Sequence, residues 1–556
     1  MPPRLIAVLT TIWAYRPALR HGPFLLALAG GAFLRWTAVR AYPHGLWFTG
    51  DSYFYMGYAL HPRPSASKTL GYSLMLRLME PLHSLTAVVV VQHLMGLAVA
   101  VMVYMVLCRL RLPAWAAAVV TLPILYDAYQ IELEHLLMAE ALFTFLIAAA
   151  LTLLLWRAGT DRPGISRWMA LLAGLLLGYT VLVRSAGAPL IPAIMVVLLL
   201  YGRPRLLDRL IAGMRHRRRT RGRASQSDAP LTSVPAEGKR SSVRRRGHCM
   251  TFGAAAAVPL VAYALWFHAE RGTYALTTSD GIYLWGRTAG FADCAKIRPP
   301  ADEQGLCLDA KTKAEQDPSG HLIWRADIPP RQRFTNVVAP EANATLRSFS
   351  IHAILAQPGD YLRTVANGIG LAFDSHRHPL PTAATEGLYH FPDKPQLFPA
   401  GRSWAGQGTA LSDAMRYGRT DTPSQVVQPY ADRMINYQKR YFLPGPALGA
   451  VFALGGVAVL VARRRRREVL LAWGTAVALL VFPIASADFD YRYVVPAMPF
   501  ACLALGLGLS AFRAPRAGLQ PGATDAEGGK SAEKSVSRWW GSRGSRHRDL
   551  DQATVL

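Results

Sequence analysis

Acidic side chains are scarce in this chain of 556 residues, where 35 Asp+Glu stand against 61 Lys+Arg. Charged residues of both signs make up only 17% of it, against roughly 25% in an ordinary soluble domain. That shortfall argues against a soluble nucleic-acid binder in spite of the net charge of +26, because such a protein carries its basic excess on a generally charged surface. Cysteine is scarcer still, at five residues, which excludes a disulfide scaffold. The chain also lacks a clear internal repeat, the mark of a transporter built from two equivalent halves.

What is abundant is apolar surface gathered in runs, with 51% of the residues hydrophobic. Windows such as 85–107, 136–156, 188–201, 252–267 and 450–462 are long enough, or nearly so, to cross about 30 Å of hydrocarbon at about 1.5 Å per residue. The fold class expected is an α-helical polytopic membrane protein. Ten crossings are placed, within a range of 10–12, at 23–42, 85–107, 113–127, 136–156, 168–183, 187–201, 250–268, 442–462, 469–487 and 494–512. The run 5–15 is too short to span and reads as a cytoplasmic interfacial helix, while 351–373, which carries Asp360 and Arg363, reads as an interfacial helix on the other face.

Basic residues orient these spans, because short cytoplasmic loops retain positive charge. With the N-terminus inside, every inner loop is basic, through Arg109 and Arg111, 157–167, 203–246 and the run Arg463 to Arg467. Both termini are then cytoplasmic, in a multi-pass protein of the plasma (inner) membrane. The expected organisation is an N-terminal transmembrane module over 1–268, with a first outer loop at 43–84 and a basic linker at 202–249. An extracytoplasmic domain of mixed or irregular structure follows over 269–441, then C-terminal spans over 442–512 and a disordered tail over 513–556. The stretch 201–249 holds 14 Lys+Arg and three acids; it serves either as a topology signal or as a contact for anionic headgroups. No aromatics interleave with its charges, so nucleic acid is not an expected partner.

The outer segment 270–440 is nearly neutral, with 19 Lys+Arg and 17 Asp+Glu. Cys294 and Cys307 lie in it thirteen residues apart, either as a disulfide on the oxidising side or as two free thiols. Asn343 opens an Asn-Ala-Thr triplet that matches a glycosylation acceptor.

Polar groups at the outer ends of spans are the candidates for chemistry, because charge near hydrocarbon is costly. Asp51 heads an aromatic stretch whose Trp47, Tyr53, Tyr55 and Tyr58 are expected to sit at the membrane surface. Two roles are open to it, a helix cap or a general base. The second outer loop carries Asp127, Glu132, Glu134 and His135, a metal-like composition without the spacing of a metal motif. Glu140 lies just inside the next span, where it either hydrogen-bonds between helices or serves the site. Arg184 and Arg492 stand on the outer side against the orientation rule, and they either pair with Asp488, Asp490 or Glu140 or bind phosphate. Arg35, within the first span, is expected to snorkel outward.

Together the Asp-bearing aromatic helix after the first span, the acids of the second outer loop, the large outer segment and the closing Arg492, Tyr493 and Pro496 resemble the GT-C superfamily of membrane glycosyltransferases. The likeness is greatest to the protein O-mannosyltransferase branch that includes the aminoarabinose transferase of lipid A. The resemblance implies inverting transfer of a sugar from a polyprenyl-phosphate donor to a lipid, glycan or protein acceptor on the extracytoplasmic face. It implies Asp51 as general base, Arg184, Arg492 and Tyr493 at the donor phosphate, and Tyr55, Glu132, Glu134 and Glu140 as support for the acceptor or sugar. No cofactor is required by this scheme; a divalent metal is compatible with it but dispensable. The rivals are a transporter or lipid flippase, and a non-catalytic cell-envelope scaffold.

Overall fold

The computed structural model describes residues 20–48, 50–158, 165–200, 236–402, 405–421 and 424–512. The run 5–15, most of the basic linker and the tail after 512 lie outside the described residues. The described part is helical throughout, and its β-pairing consists of two isolated bridges, Leu46 with Leu136 and Arg402 with Thr409. Five helices are long and apolar enough to cross a membrane: Gly22–Ala41 (α1), Leu85–Arg109, Gly247–Arg271, Arg466–Ser486 and Tyr491–Phe512. The other five expected crossings are shorter apolar helices, Ala114–Tyr126, Glu140–Leu155, Arg167–Val183, Ser185–Leu199 and Gly445–Val461.

Further labels follow chain order: Asp51–Leu60 is α2, Leu85–Arg109 α3, Ala114–Tyr126 α4, Ala128–His135 α5, Glu140–Leu155 α6 and Arg167–Val183 α7. Ala236–Arg271 is α8, Asp280–Ala289 α9, Pro340–Ala356 α10, Pro358–Leu371 α11, Gly445–Val461 α12, Arg466–Ser486 α13 and Tyr491–Phe512 α14. α8 begins well inside the stretch expected to be a disordered linker. Its first three turns carry four arginines and one lysine, good helix formers. The single interfacial helix expected over 351–373 is instead two, α10 and α11, divided at Gln357 because Pro358 opens the second.

Small residues bring the bundle together. On α7, Gly174 and Gly178 lie one turn apart against α8, and a Cβ on either would stand 2.3 Å from a carbonyl oxygen, of Phe252 and Ala256 respectively. This is the close backbone approach that small-xxx-small pairs permit in apolar surroundings. Gly178→Leu is therefore expected to destabilise the protein by about 1–3 kcal/mol or more, as overpacking does. Thermal unfolding of the detergent-solubilised variant reads this; an unchanged midpoint would show that the two helices separate without cost.

A buried ionic network ties the N-terminal helices. Arg35 of α1 is 2% exposed rather than snorkelling. Its Nε and Nη2 donate to the two oxygens of Glu134 at 2.7 and 2.9 Å. Its remaining N–H groups reach the carbonyls of Gly31, Leu125 and Ile124 at 3.1, 2.8 and 3.2 Å. All five guanidinium donors are thus used, and two of the carbonyls belong to the C-terminal turn of α4, which has no helical partner for them.

The large segment between α8 and α12 is also helical rather than mixed, with short helices joined by loops. It divides by core. Ile282, Trp285, Leu306, Leu322, Ile323, Leu346 and Phe349 form a small core of their own, beside which Cys294 and Cys307 are joined as a disulfide. By contrast, Tyr389, Phe391, Ala405, Ala414 and Tyr417 belong to the main core and cover the first loop. Asn343 is 3% exposed, with its amide spent on Gly281 and Asp280 at 2.6 and 2.9 Å, so the triplet is not presented for glycosylation.

Candidate active site

The backbone turns into α2 through Gly50, whose φ of +86° suits glycine, and the Ser52 hydroxyl accepts from the Phe48 N–H at 2.8 Å. Asp51 is the first residue of the helix and makes no cap hydrogen bond. The helix does not present its aromatic side chains on the protein's surface. Trp47, Tyr53, Tyr55 and Tyr58 are all at least nine-tenths buried within the protein. Trp47 stacks on Tyr53 at 5.0 Å and meets Phe398 edge-on at 5.5 Å, while the Gln396 amide pairs with the Trp47 backbone N–H and carbonyl at 3.0 and 3.1 Å. Composition suited to a headgroup boundary is here enclosed by residues more than 300 positions away.

Freed from capping, the Asp51 carboxylate pairs with two cations, Lys68 through Oδ1 and Arg492 through Oδ2. Burial pushes its pKa up, but Lys68 and Arg492, with Arg184 behind them, overcome this and hold the carboxyl well below the usual range. Burial lowers the Lys68 ammonium even though Asp51 pulls the other way. Arg492 also binds Asp490 through Nε at 2.9 Å, and Asp490 in turn accepts from the Tyr389 hydroxyl at 2.5 Å. Arg184 pairs with Glu140, the first residue of α6. The Tyr493 ring lies 5.5 Å from both the Arg184 and Arg492 guanidinium carbons, and Tyr55 lies 5.8 Å from Lys68 Nζ. Residues 51, 68, 184 and 492 therefore meet although they come from three distant parts of the chain.

Glu132 stands beside this cluster. It is fully buried, and neither carboxylate oxygen has a hydrogen-bond partner. It lines a small cavity with Tyr129, Arg377, Tyr389, Tyr491 and Arg492. Burial pushes its pKa well above the carboxylate range, with Arg377 pulling against that. Arg377 itself is held between the rings of Tyr129 and Tyr491, at 3.9 and 3.7 Å.

The other acids of that loop do different work. Glu134, expected to support the acceptor or sugar, is instead taken up by Arg35, by His93 at 3.0 Å and by Gln130 at 2.8 Å. Gly96 makes room for it, since a Cβ there would stand 1.9 Å from Glu134 Oε1. His135 bonds His93 at 2.9 Å and the Tyr42 carbonyl at 2.9 Å, and Asp127 caps α5 through the Gln130 N–H at 2.8 Å. The metal-like composition is thus divided among separate structural networks. Among the described residues, no group of three His, Cys, Asp or Glu side chains is placed to hold a metal ion.

No family model and no curated protein matches the sequence. Solved structures of the oligosaccharyltransferase of Archaeoglobus fulgidus are found as distant matches. The form tethered to an acceptor peptide has a TM-score of 0.37 at 12% identity, covering 89% of this chain and 50% of that one. The complex with an inhibitory peptide and a dolichol-phosphate has a TM-score of 0.34 at 12% identity, covering 89% and 50%. The chain spans about half the length of these proteins.

Several residues of the cluster escaped the sequence reading. Lys68 sits in the stretch 43–84 expected to be the first outer loop, so the orientation argument that singled out Arg184 and Arg492 applies to it equally. Asp490 lies beside Arg492 and was considered only as its pairing partner. Tyr283 of α9 had no signal at all: it lies close enough for Asp51, Tyr493 and Arg492 to bear on its hydroxyl, whose pKa burial and the carboxylate push up.

Proposed function

We propose that this protein is a membrane glycosyltransferase of the GT-C kind, which moves a sugar from a polyprenyl-phosphate donor to a hydroxyl-bearing acceptor on the extracytoplasmic face. The observation that carries the proposal is the meeting of one ionised carboxylate, Asp51, with three cations, Lys68, Arg184 and Arg492. A carboxylate that must accept a proton has to be ionised, and a phosphate that must leave needs positive charge around it. Both requirements are present within one partly buried cluster, where charge is screened less than in water.

The reaction balances on these groups. The acceptor oxygen attacks the anomeric carbon from the face opposite the phosphate, its proton passes to Asp51, and the C1–O bond breaks with the electron pair leaving on the polyprenyl phosphate. Arg492 and Lys68, which pair with Asp51, would exchange toward the incoming phosphate. That exchange restores basicity to Asp51 as the donor binds. Tyr493 and Arg184 flank the same place, and Tyr55 orders Lys68. The distribution of Lys and Arg along the chain supports a cytoplasmic position for both termini and an extracytoplasmic one for this cluster.

The test is turnover. Purified protein in lipid nanodiscs is incubated with radiolabelled polyprenyl-phosphate mannose, glucose, arabinose and aminoarabinose, and release or transfer of label is followed. Turnover of at least one donor is expected. Failure with all four, under conditions where the protein stays folded, would move the reading to a lipid transporter.

A further inference from the structure

Four residues, 487–490, join α13 to α14, and with the first turn of α14 they serve two places. Asp490 and Arg492 belong to the cluster around Asp51, whereas Asp488 and Phe489 line a separate cavity of about 320 Å³. The opposite wall comes from the large segment: Arg287 of α9, Thr364 and Asn367 of α11, and Leu371 at its end. A cavity of this size is in the range of small-molecule sites.

Its chemistry is selective. Arg287 is 6% exposed, and its Nε has no hydrogen-bond partner. Its Nη2 donates to the Thr364 carbonyl at 2.8 Å, and its Nη1 stands 3.5 Å from Asp488 Oδ1. Asp488 accepts from the Gly320 and Phe489 N–H groups, both at 2.7 Å, which fixes the carboxylate while leaving acceptor capacity on Oδ2. Gly368 allows the approach, since a Cβ there would lie 3.0 Å from Arg287 Nη2. One guanidinium beside one carboxylate cancels in charge, so a free anion would gain Arg287 only by meeting Asp488. An alkyl chain would leave the buried Nε unpaired, at a cost. A ligand with several hydroxyls can donate to Asp488, accept from Arg287 and Asn367, and lay its C–H face on Phe489 and Leu371.

We propose that this cavity is a saccharide-binding subsite that holds the acceptor, a neutral sugar or glycan, beside the transfer site. The proposal that it serves as the acceptor site rests on the glycosyltransferase reading, but saccharide binding does not. The connector supplies the coupling: Asp488 and Phe489, which line the acceptor cavity, stand four and three positions before Arg492, which pairs with Asp51.

Binding of methyl glucoside, methyl mannoside, methyl galactoside and methyl N-acetylglucosaminide to the full chain in detergent is measured by calorimetry, with inorganic phosphate as the competing probe. At least one glycoside is expected to bind saturably. Asn367→Trp, an exposed position at the cavity wall, should weaken it tenfold or more at unchanged melting temperature; Arg287→Gln should weaken it as well, with a lower melting temperature, because Asp488 loses its counter-charge. In the transfer assay Asn367→Trp should raise the acceptor KM while donor hydrolysis stays constant. Absence of binding by all four glycosides, equal affinity in Asn367→Trp, or displacement by phosphate would each overturn the subsite. Glycoside binding lost in Asn367→Trp by a protein that turns over no donor would leave the subsite standing and remove the transferase.

Discussion

Asp51→Asn is expected to lower kcat/KM for sugar transfer by about 10²–10⁴-fold, the span a positioned general base contributes. The amide keeps the shape of the side chain but cannot take the acceptor proton. Lys68 loses its partner and Arg492 keeps Asp490, and their side chains are 28% and 19% exposed, so water screens part of the repulsion and the fold should persist. Initial rates with the labelled donor, read beside a melting curve, check both halves, and an unchanged rate would remove Asp51 from the mechanism. The pH profile adds a second reading. The folded pKa of Asp51 is depressed, so the carboxylate is ionised throughout the ordinary carboxylate range and above. Any stability it contributes is present above its unfolded pKa and is lost only as pH falls through the lower folded value. The acid limb of kcat/KM, which reports the free enzyme, should accordingly lie below the ordinary carboxylate range; a limb near neutrality would point to another base.

Arg35→Leu is expected to destabilise the protein by about 3–5 kcal/mol, because it leaves the Glu134 carboxylate buried without its main counter-charge. Two carbonyls at the end of α4 lose their donors as well. Arg35→Lys should fare little better, since an ammonium has three donors and no fork to match Glu134. The double variant Arg35→Leu with Glu134→Leu should recover part of the loss, as buried pairs replaced by apolar side chains often do. Thermal unfolding of the set in one detergent gives the coupling energy. Additive losses in the double variant would show that the two residues do not act as a pair.

Glu132 and Glu134 show most clearly how far a one-dimensional reading reaches. They are two residues apart in the same loop and were given the same expected role. On a helix, two residues differ by about 200° around the axis, so once 128–135 folds as α5 they face opposite ways. Glu134 meets Arg35, while Glu132 meets the cavity beside Arg492. Composition cannot separate them, because the partners that distinguish them come from residues 35, 377 and 492.

The aromatic stretch after α1 carries the same lesson. Trp and Tyr suit a headgroup boundary and a protein interior equally well, and only the fold of 389–417 over α2 decides between them.

What sequence alone determined is the class of molecule. Apolar runs and the placement of basic residues between them are local or additive properties, so they can be read without a fold; they brought out a helical membrane protein and two arginines, Arg184 and Arg492, expected on the outer side and in need of a partner. Which groups meet was decided by tertiary structure. Asp51, Lys68, Arg184 and Arg492 are separated by up to 441 positions, and ion pairs act over a few ångströms. A stretch such as 488–492 can face two cavities at once only after helices far apart in the chain have packed around it.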